Sequence, residues 1–155
     1  MPGVPDIYQG CELWDFSLVD PDNRRPIDFG YRRTLLNELQ ALATQTSEQR
    51  ITKVRALCNT LEDGRAKLLI IKSALALRER WPEVFQQGSY LPLAIKGEHA
   101  DHLCGYARIA GGRTVITIAP RFLARLMGEA DILPLGEKVW GDTAVEMPFH
   151  RRDNQ

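Results

Sequence analysis

The 155-residue sequence has little of three things: net charge, long apolar runs and cysteine. Lys plus Arg equal Asp plus Glu, at 20 each, so no basic surface is predicted to neutralise a phosphate backbone, and nucleic acid is excluded as a partner. The longest apolar run, Leu68 to Ile71, is far shorter than the roughly 20 residues that span a bilayer, so no membrane association is predicted. Met1 to Val4 has neither a basic region nor an apolar core, and predicts no secretory signal.

The three cysteines, Cys11, Cys58 and Cys104, are irregularly spaced. An odd number without a CxxC motif argues against a disulfide framework and against a zinc site. We therefore expect three reduced thiols in a cytoplasmic protein. His99 and His102 lie three residues apart in a turn-like segment with no third ligand nearby, so they are predicted to be solvated and no metal is expected.

Motifs for cofactor or nucleophilic chemistry are also missing. The sequence has no Gly-rich phosphate loop, no HExxH and no serine in a nucleophile elbow. No helix follows Gly111-Gly112, which therefore predicts a hairpin turn. No cofactor is predicted. The basic residues of one helix are predicted to form its solvated edge: Lys67, Lys72, Arg78 and Arg80.

The N-terminal stretch is rich in polar and turn-forming residues. Val4 to Tyr8 predicts a short edge strand interrupted by Pro5, and Cys11 to Asp28 predicts a long loop with a turn at Asp20 to Asn23. A single strand leaves backbone groups unpaired, and the next clear strand begins only at Ser89. This isolation predicts that the strand's partners lie outside the chain.

Helical periodicity follows. Phe29 to Ala43 predicts a helix with Asp28 as its N-cap, and Ser47 is predicted to cap a second helix. A third helix, Arg65 to about Arg80, is apolar around most of its circumference and is predicted to be packed on several sides. The second helix carries one apolar face: Ile51, Val54, Leu57, Cys58 and Leu61.

The pattern changes to strands after Gly88. We expect an α+β fold, with helices first and an antiparallel sheet afterwards. A turn Pro82 to Gln87 precedes the sheet, and Phe122 to Met127 predicts one helical turn or a loop. The predicted strands are Ser89 to Ile95, Leu103 to Ile109, Thr114 to Ala119, Leu133 to Pro134, Lys138 to Trp140 and Thr143 to Met147.

The loop before the first helix concentrates acidic side chains: Glu12, Asp15, Asp20, Asp22 and Asp28. Glycosidic chemistry uses two carboxyl groups roughly 5 to 10 Å apart, and a loop can bring two of these together. Acidic loops are also commonly only solvated. Both readings stay open on residue chemistry alone.

The same loop carries flat aromatic faces and polar donors: Tyr8, Trp14, Asn23, Arg24 and Arg25. Aromatic faces suit the C–H side of a sugar ring, and amide or guanidinium donors suit hydroxyls. The alternative is that Arg24 and Arg25 pair with Asp20 and Asp22 and only hold the loop. The two roles are compatible, because pairing can position binding groups.

The segment Pro2-Gly3-Val4-Pro5-Asp6-Ile7-Tyr8-Gln9-Gly10-Cys11-Glu12 resembles the eighth-strand segment of the α-amylase superfamily, where Pro-Gly-x-Pro leads into an aromatic residue and Gly-x-Glu. Its extension from Leu13 to Asp28 is similar, more narrowly, to the maltooligosyl trehalose synthases of that superfamily. Looser similarities occur at Asp63 to Lys67, Leu75 to Arg78, Gly88 to Leu93, Tyr106 to Arg108 and Ala119 to Arg121.

The resemblance implies a (β/α)₈ barrel whose site lies at the C-terminal ends of the strands. Val4 to Tyr8 would be the last barrel strand, and the helix from Phe29 the last barrel helix. Residues 1–45 would end the catalytic barrel, residues 46–88 form a helical segment, and residues 89–155 form a C-terminal antiparallel β-domain. We expect the surface left by the missing strands to be covered by rearrangement, dimerisation or disorder.

The implied activity is an isomerase-type intramolecular transglycosylation, which converts the reducing-end α-1,4 bond of a maltooligosaccharide into an α,α-1,1 bond without a cofactor. The family's catalytic carboxylates lie upstream of this segment, so no catalytic residue is assigned and the chain alone is expected to be inactive. The implied partners are a maltooligosaccharide and an upstream barrel domain. The substrate-binding residues implied here are Tyr8, Gln9, Glu12, Trp14, Asp15, Asp22, Asn23, Arg24 and Arg25.

Two other hypotheses remain. The chain could be a non-catalytic carbohydrate-binding or domain-packing module of another α-amylase-type enzyme. It could also be the tail of another hydrolase of that superfamily, which the long Glu12 to Asp28 similarity disfavours.

Overall fold

A computed structural model describes residues 8–129 and 133–147, apart from the side chains of residues 43 and 44. The chain forms two compact units: Met1–Leu77, called the helical unit below, and Arg78–Gln155, called the sheet unit. Helices and antiparallel sheets are both present, as the predicted α+β class requires. The predicted strand Val4 to Tyr8 lies outside the described residues except for Tyr8, and the predicted division into three domains stays a prediction.

From Tyr8 onward, the helical unit contains three α-helices, and the last of them runs on past Leu77. They are connected by short 3₁₀ turns, and another 3₁₀ turn lies in the loop before the first helix. The helices are α1 Phe29–Gln40, α2 Ser47–Cys58 and α3 Arg65–Arg80, and the 3₁₀ turns are Asp22–Arg24, Ala41–Thr44 and Leu61–Asp63.

The first helix begins at the predicted residue because Asp28 caps it. Asp28 Oδ1 accepts a hydrogen bond from the Tyr31 amide at 2.8 Å, which satisfies one of the unpaired amides of the first turn. At the other end the α-helix stops at Gln40, earlier than predicted, and the chain tightens into the 3₁₀ turn Ala41–Thr44.

The second helix is capped by Thr46, so the prediction of Ser47 was wrong by one residue. The Gln49 amide donates to the Thr46 hydroxyl at 3.3 Å, and the Thr46 amide donates to Gln49 Oε1 at 3.1 Å. This is a capping box, in which the side chains of Thr46 and Gln49 each accept a hydrogen bond from the other residue's backbone amide. Thr46 has an extended backbone whereas Ser47 is already helical, and only the extended position can point its hydroxyl back at the turn.

Leucines form the core of the helical unit: Leu13, Leu35, Leu39, Leu42, Leu57 and Leu68. The predicted packing of α3 on several sides was wrong, since Leu68 is its one buried residue while Ile70 is 70% and Leu75 is 59% exposed. The predicted apolar face of α2 is likewise buried only at Leu57. Periodicity identifies an apolar face, but it does not show that a partner covers it.

Within its described residues, the sheet unit contains two antiparallel sheets and three short α-helices. The first sheet has the strand order β1-β3-β4, and β2 pairs with β5 in the second. The strands are β1 Ser89–Pro92, β2 Ile95–Lys96, β3 Leu103–Ala110, β4 Arg113–Pro120 and β5 Ala144–Val145. The helices are α4 Pro82–Gln86, α5 Leu123–Met127 and α6 Glu137–Trp140.

The predicted hairpin at the two adjacent glycines is confirmed. Ala110 pairs with Arg113, and the connecting residues Gly111 and Gly112 have φ values of 56° and 74°. Two consecutive positive φ values are typical of the type I′ turn, which matches the twist of the two strands and favours glycine.

Four strand predictions were wrong in part or whole. The predicted strand Ser89 to Ile95 is divided, because Ser89–Pro92 pairs with β3 while Ile95–Lys96 pairs with β5. The predicted final strand shortens to Ala144–Val145.

The segment before that strand contains a helical turn instead of strands. Lys138 to Trp140 belongs to α6, and no strand forms at Leu133 to Pro134. The Trp140 indole donates to the Pro134 carbonyl at 2.8 Å, so the segment folds back on itself. Gly136 and Gly141, with φ values of 85° and 53°, bound this single turn.

The fourth helix packs on the first sheet through Val84, whose exposed fraction is 0%. Arg108 on β3 donates to the Phe85 carbonyl at 2.8 Å and to the Val84 carbonyl at 3.3 Å, satisfying two carbonyls at the helix end. A Cβ at Gly88 would lie 2.3 Å from the Val84 carbonyl oxygen, so this junction requires glycine.

No helix within residues 8–129 and 133–147 is long and apolar enough to cross a membrane.

The capping box of α2 makes a direct prediction. Thr46→Ala removes the hydroxyl that receives the Gln49 amide, and should lower the free energy of unfolding of the helical unit by about 1 kcal/mol. Ser47→Ala is the matched control, because Ser47 already lies inside the helix, where alanine is the better helix former. Chemical denaturation followed by circular dichroism measures both. A larger loss in Ser47→Ala than in Thr46→Ala would contradict the assignment.

Candidate functional site

The loop from Tyr8 to Asp28, called the site loop below, is closed by one side chain of α1. Arg32 Nη2 donates to the Gly10 carbonyl at 2.7 Å and Nη1 donates to the Asp28 carbonyl at 3.2 Å. Its Nε lies 3.4 Å from Glu12 Oε2, in a charge-assisted contact. Arg32 therefore joins the beginning of the site loop to its end.

The close approach at the start of the loop depends on Gly10. Its φ is 94°, in the region that favours glycine. A Cβ at this position would lie 3.1 Å from Ile27 Cδ1 and 3.3 Å from Arg32 Nη2. Any side chain would press on the guanidinium that closes the loop.

The middle of the loop is anchored by Leu13 and Trp14. Leu13 is buried in the leucine core, and its carbonyl accepts a hydrogen bond from Lys67 Nζ at 2.8 Å. The same ammonium lies over the Trp14 ring, 5.0 Å from its centroid. The Trp14 indole donates to the Leu61 carbonyl at 2.5 Å, while 45% of the residue stays exposed. Trp14 is thus held at one edge and remains accessible.

Short-range polar contacts fold the outer part of the loop. Asp15 Oδ1 accepts from the Ser17 amide at 2.9 Å and from its hydroxyl at 2.6 Å. Asp22 Oδ2 accepts from the Leu18 amide at 2.7 Å, and Asp22 also forms an ion pair with Arg25.

Arg24, like Arg25, pairs with an aspartate of the loop. Arg24 Nη2 donates to Asp20 Oδ2 at 2.9 Å, so the predicted pairing of Arg24 and Arg25 with Asp20 and Asp22 is present. These arginines hold the loop, as the second reading of the sequence suggested.

Hydrogen bonds keep two loop carboxylates ionised. The Ser17 hydroxyl, followed by the Ser17 amide, lowers the pKa of Asp15. The Leu18 amide, assisted by Arg25, lowers the pKa of Asp22. A general acid for glycosidic cleavage needs a raised pKa, so neither residue is suited to donate a proton at neutral pH. Both are suited to accept hydrogen bonds from ligand hydroxyls.

The folded loop surrounds an open polar pocket of about 440 Å³, which is within the size range of small-ligand sites. Five predicted site residues line this pocket: Gln9, Trp14, Asp15, Asn23 and Arg25. Four others do not: Tyr8, Glu12, Asp22 and Arg24. Of these, the three charged residues form ion pairs that frame the loop. The binding role of all nine stays a prediction.

The rim of the loop exposes large apolar side chains. Phe16 is 89%, Leu18 is 76% and Val19 is 84% exposed. Adjacent exposed apolar residues of this size are typical of a surface that contacts another protein segment.

Sequence reasoning missed two residues that hold the site. Arg32 lies one turn after the Asp28 cap, a position that faces back along the chain, and this spacing could have suggested its contact with the loop. Lys67 was predicted to lie on a solvated edge, which was wrong: it contacts Leu13, 54 residues away. No local pattern points to a partner at that separation.

Within the described residues, no group of three or more His, Cys, Asp or Glu side chains is placed to hold a metal ion. His99 and His102 approach each other edge-on, with ring centroids 6.0 Å apart. All three cysteines are free thiols.

The two units and the site loop define a segment that recurs within larger proteins. The chain is 37% identical, over 145 residues, to maltooligosyl trehalose synthase proteins from two strains of Mycobacterium tuberculosis, and the match covers 92% of the chain and 15% of each relative. Among solved structures, similar chains are maltooligosyltrehalose synthase from Arthrobacter ramosus and its point mutant, each with a TM-score of 0.65, 36% identity and coverage of 94% of this chain and 16% of theirs. No protein-family model matches.

The chain therefore belongs to the maltooligosyl trehalose synthase family and corresponds to a C-terminal portion of it. It spans about 15% of the length of the curated relatives. The similarity extends through both units and confirms the family suggested by the site loop.

The hydrogen bonds of Asp15 make a testable prediction. Ser17→Ala should raise the pKa of Asp15 toward its ordinary value of 3.8, because the Ser17 hydroxyl is the largest cause of the lowering. The depressed pKa stabilises the folded loop above pH 3.8, and this stabilisation is lost as the pH falls through the lower folded pKa. Ser17→Ala should therefore weaken the loop at neutral pH.

Carboxyl-carbon NMR titration of Asp15 measures this change. Ser47→Ala, on α2, is the control and should leave the Asp15 titration unchanged. An Asp15 pKa that is the same in Ser17→Ala and in the unaltered chain would contradict the hydrogen-bond assignment.

Proposed function

We propose that the chain is the C-terminal part of a maltooligosyl trehalose synthase, an isomerase of trehalose biosynthesis. The full enzyme would convert the reducing-end α-1,4 bond of a maltooligosaccharide into an α,α-1,1 bond by intramolecular glucosyl transfer. The observation that carries the proposal is 36–37% identity over more than nine-tenths of the chain, with coverage of only 15–16% of the relatives. The chain alone is expected to be inactive, because the loop carboxylates are engaged as acceptors.

In this proposal the site loop forms one wall of a maltooligosaccharide site. Trp14 offers a half-exposed ring to the C–H face of a glucosyl unit, and Gln9 and Asn23 offer amide donors and acceptors to hydroxyls. Asp15, held ionised, accepts from a hydroxyl, and Arg25 donates to one. The catalytic carboxylates would come from the rest of the enzyme.

The proposal also makes the site loop and α1 the end of a (β/α)₈ barrel. The upstream barrel domain would then be the partner of the exposed rim residues Phe16, Leu18 and Val19. Their exposure supports the proposal, because three large apolar side chains in water lose the free energy of burial that a neighbouring domain would provide.

A cytoplasmic location belongs to the same proposal. The free thiols Cys11, Cys58 and Cys104 support it, since unpaired cysteines persist in reducing compartments. No redox or nucleotide cofactor is required for glucosyl transfer between hydroxyls of one chain.

The exposed rim also favours a second function, domain packing without sugar binding. In that case Phe16, Leu18 and Val19 would be the contact and the pocket would be incidental. Dimerisation of the isolated chain through the same residues would follow, because an uncovered apolar rim can pair with a second copy.

We expect the purified chain to form no maltooligosyl trehalose from maltopentaose. The physical reason is that, in this proposal, the catalytic carboxylates lie in the rest of the enzyme, and Asp15 and Asp22, with lowered pKa values, are poorly suited to replace the acid. Chromatographic detection of non-reducing product measures the activity, with a family member of full length as the positive control. Robust turnover by the 155-residue chain would overturn the proposal.

We also expect the chain to bind maltopentaose weakly, through Trp14. Trp14→Ala should weaken binding by roughly three- to tenfold, because the ring provides the stacking face. Phe122→Ala, which removes an exposed aromatic ring from the sheet unit, is the matched control and should have no effect. Isothermal titration calorimetry measures the affinities. Absence of binding by the unaltered chain would instead favour the domain-packing function.

A further inference from the structure

We propose that Lys67 is a positioning residue that holds the Trp14 ring as a stacking platform for a glucosyl unit. This inference rests on the proposed function of the site loop and assigns a role to a residue of α3, outside that loop. Its ligand class is a neutral, hydroxyl-rich sugar, and its action is indirect, through the aromatic ring.

The ammonium of Lys67 makes two contacts with adjacent loop residues. It donates to the Leu13 carbonyl at 2.8 Å and lies 5.0 Å from the Trp14 ring centroid. A cation over an indole face is attracted by the negative charge of the π system. Because the hydrogen bond to Leu13 fixes the position of the charge, the attraction fixes the position of the ring.

The ring has one further restraint, at its edge. The Trp14 indole nitrogen donates to the Leu61 carbonyl at 2.5 Å. This hydrogen bond restrains the ring at one edge. The charge of Lys67 adds a second restraint at one face.

The ring remains available to a ligand. Trp14 lines the 440 Å³ pocket, whereas Lys67 is not among the residues that line it. The residue is 45% exposed despite both restraints. A restrained, half-exposed ring binds a sugar with a smaller loss of side-chain freedom than a mobile one.

The charge of Lys67 is not used elsewhere in the described structure. Within residues 8–129 and 133–147, Lys67 forms no ion pair, although Arg32 and Arg65 of the same unit pair with carboxylates. An ammonium paired with a carboxylate would be less able to polarise the ring.

Fluorescence of Trp14 tests the positioning directly. In a Trp81→Phe, Trp140→Phe background, Trp14 is the sole tryptophan of the three in the chain. Lys67→Met should increase acrylamide quenching and lower the fluorescence anisotropy, and Lys67→Arg should restore both, because it keeps the cation. Lys67→Gln keeps a neutral donor for Leu13 and should behave like Lys67→Met, which separates charge from hydrogen bonding.

The control for these variants is Lys72→Met on the same helix. It removes the same charge from α3 at a position that lines a separate pocket without Trp14. Quenching and anisotropy should not change. If Lys67→Met does not fold, as judged by circular dichroism, the comparison of Lys67→Gln with Lys67→Arg carries the test.

Titration with maltopentaose gives the functional readout. Lys67→Met and Lys67→Gln should weaken binding about two- to fivefold, the range expected for loss of an exposed cation–π contact. Lys67→Arg should restore the affinity and Lys72→Met should leave it unchanged.

The outcomes separate this inference from the proposed function. Unchanged quenching and affinity in Lys67→Met, with binding still weakened by Trp14→Ala, would overturn the role of Lys67 and leave the sugar wall standing. Increased quenching with binding unaffected by Trp14→Ala would overturn the sugar wall and the platform with it.

Discussion

Burial of Leu13 in the leucine core is the interaction on which the site loop depends. Leu13 is the one buried side chain of the site loop, and it packs with leucines of all three helices of the helical unit. Gly64 is part of this arrangement, because its φ is 76° and a Cβ there would lie 3.2 Å from Leu13 Cδ2. The close approach of the α2–α3 connection to Leu13 therefore requires glycine. The Leu61 carbonyl then meets the edge of the adjacent Trp14 ring, and the Lys67 ammonium lies over the ring. A hydrophobic contact thus determines where the aromatic face of the pocket lies.

Hydrogen bonds and ion pairs, rather than burial, organise the polar groups of the loop around Leu13. Each acidic side chain has a nearby donor: Glu12 with Arg32, Asp15 with Ser17, Asp20 with Arg24, Asp22 with Leu18 and Arg25, and Asp28 with Tyr31. These exposed contacts each contribute little stability, but they fix the conformation of a loop that has only one buried side chain. At Asp15 and Asp22 the hydrogen bonds also lower the pKa, which keeps these two carboxylates ionised as hydrogen-bond acceptors.

The features that sequence predicted are those set by neighbours a few residues apart. The Asp28 cap, the bounds of α3, the two-glycine hairpin and the arginine pairs of the loop all depend on local spacing. The features that it missed join distant residues: Lys67 with Leu13 across 54 residues, and Trp14 with Leu61 across 47. The N-cap of α2 was predicted at Ser47, one residue too late, because serine and threonine can accept hydrogen bonds from the same amides. Only the backbone geometry distinguishes the two positions. The composition of the loop predicted a sugar ligand. Which of its residues line the pocket is visible only in the folded structure.

The sequence predicted more buried apolar residues than the structure contains, and the family relationship offers a physical reason. The apolar face of α3 and the rim of the site loop carry residues that a compact chain would cover, yet Ile70, Leu75 and Phe16 are mostly exposed. The chain spans about 15% of its relatives, so these faces can belong to contacts that the chain does not contain. The core of the helical unit does not include them, since its leucines come from the loop, the three helices and the 3₁₀ turn after α1. Leu13 and Arg32, which hold the site loop, are therefore separate from the exposed apolar residues, and the loop conformation does not depend on covering those residues.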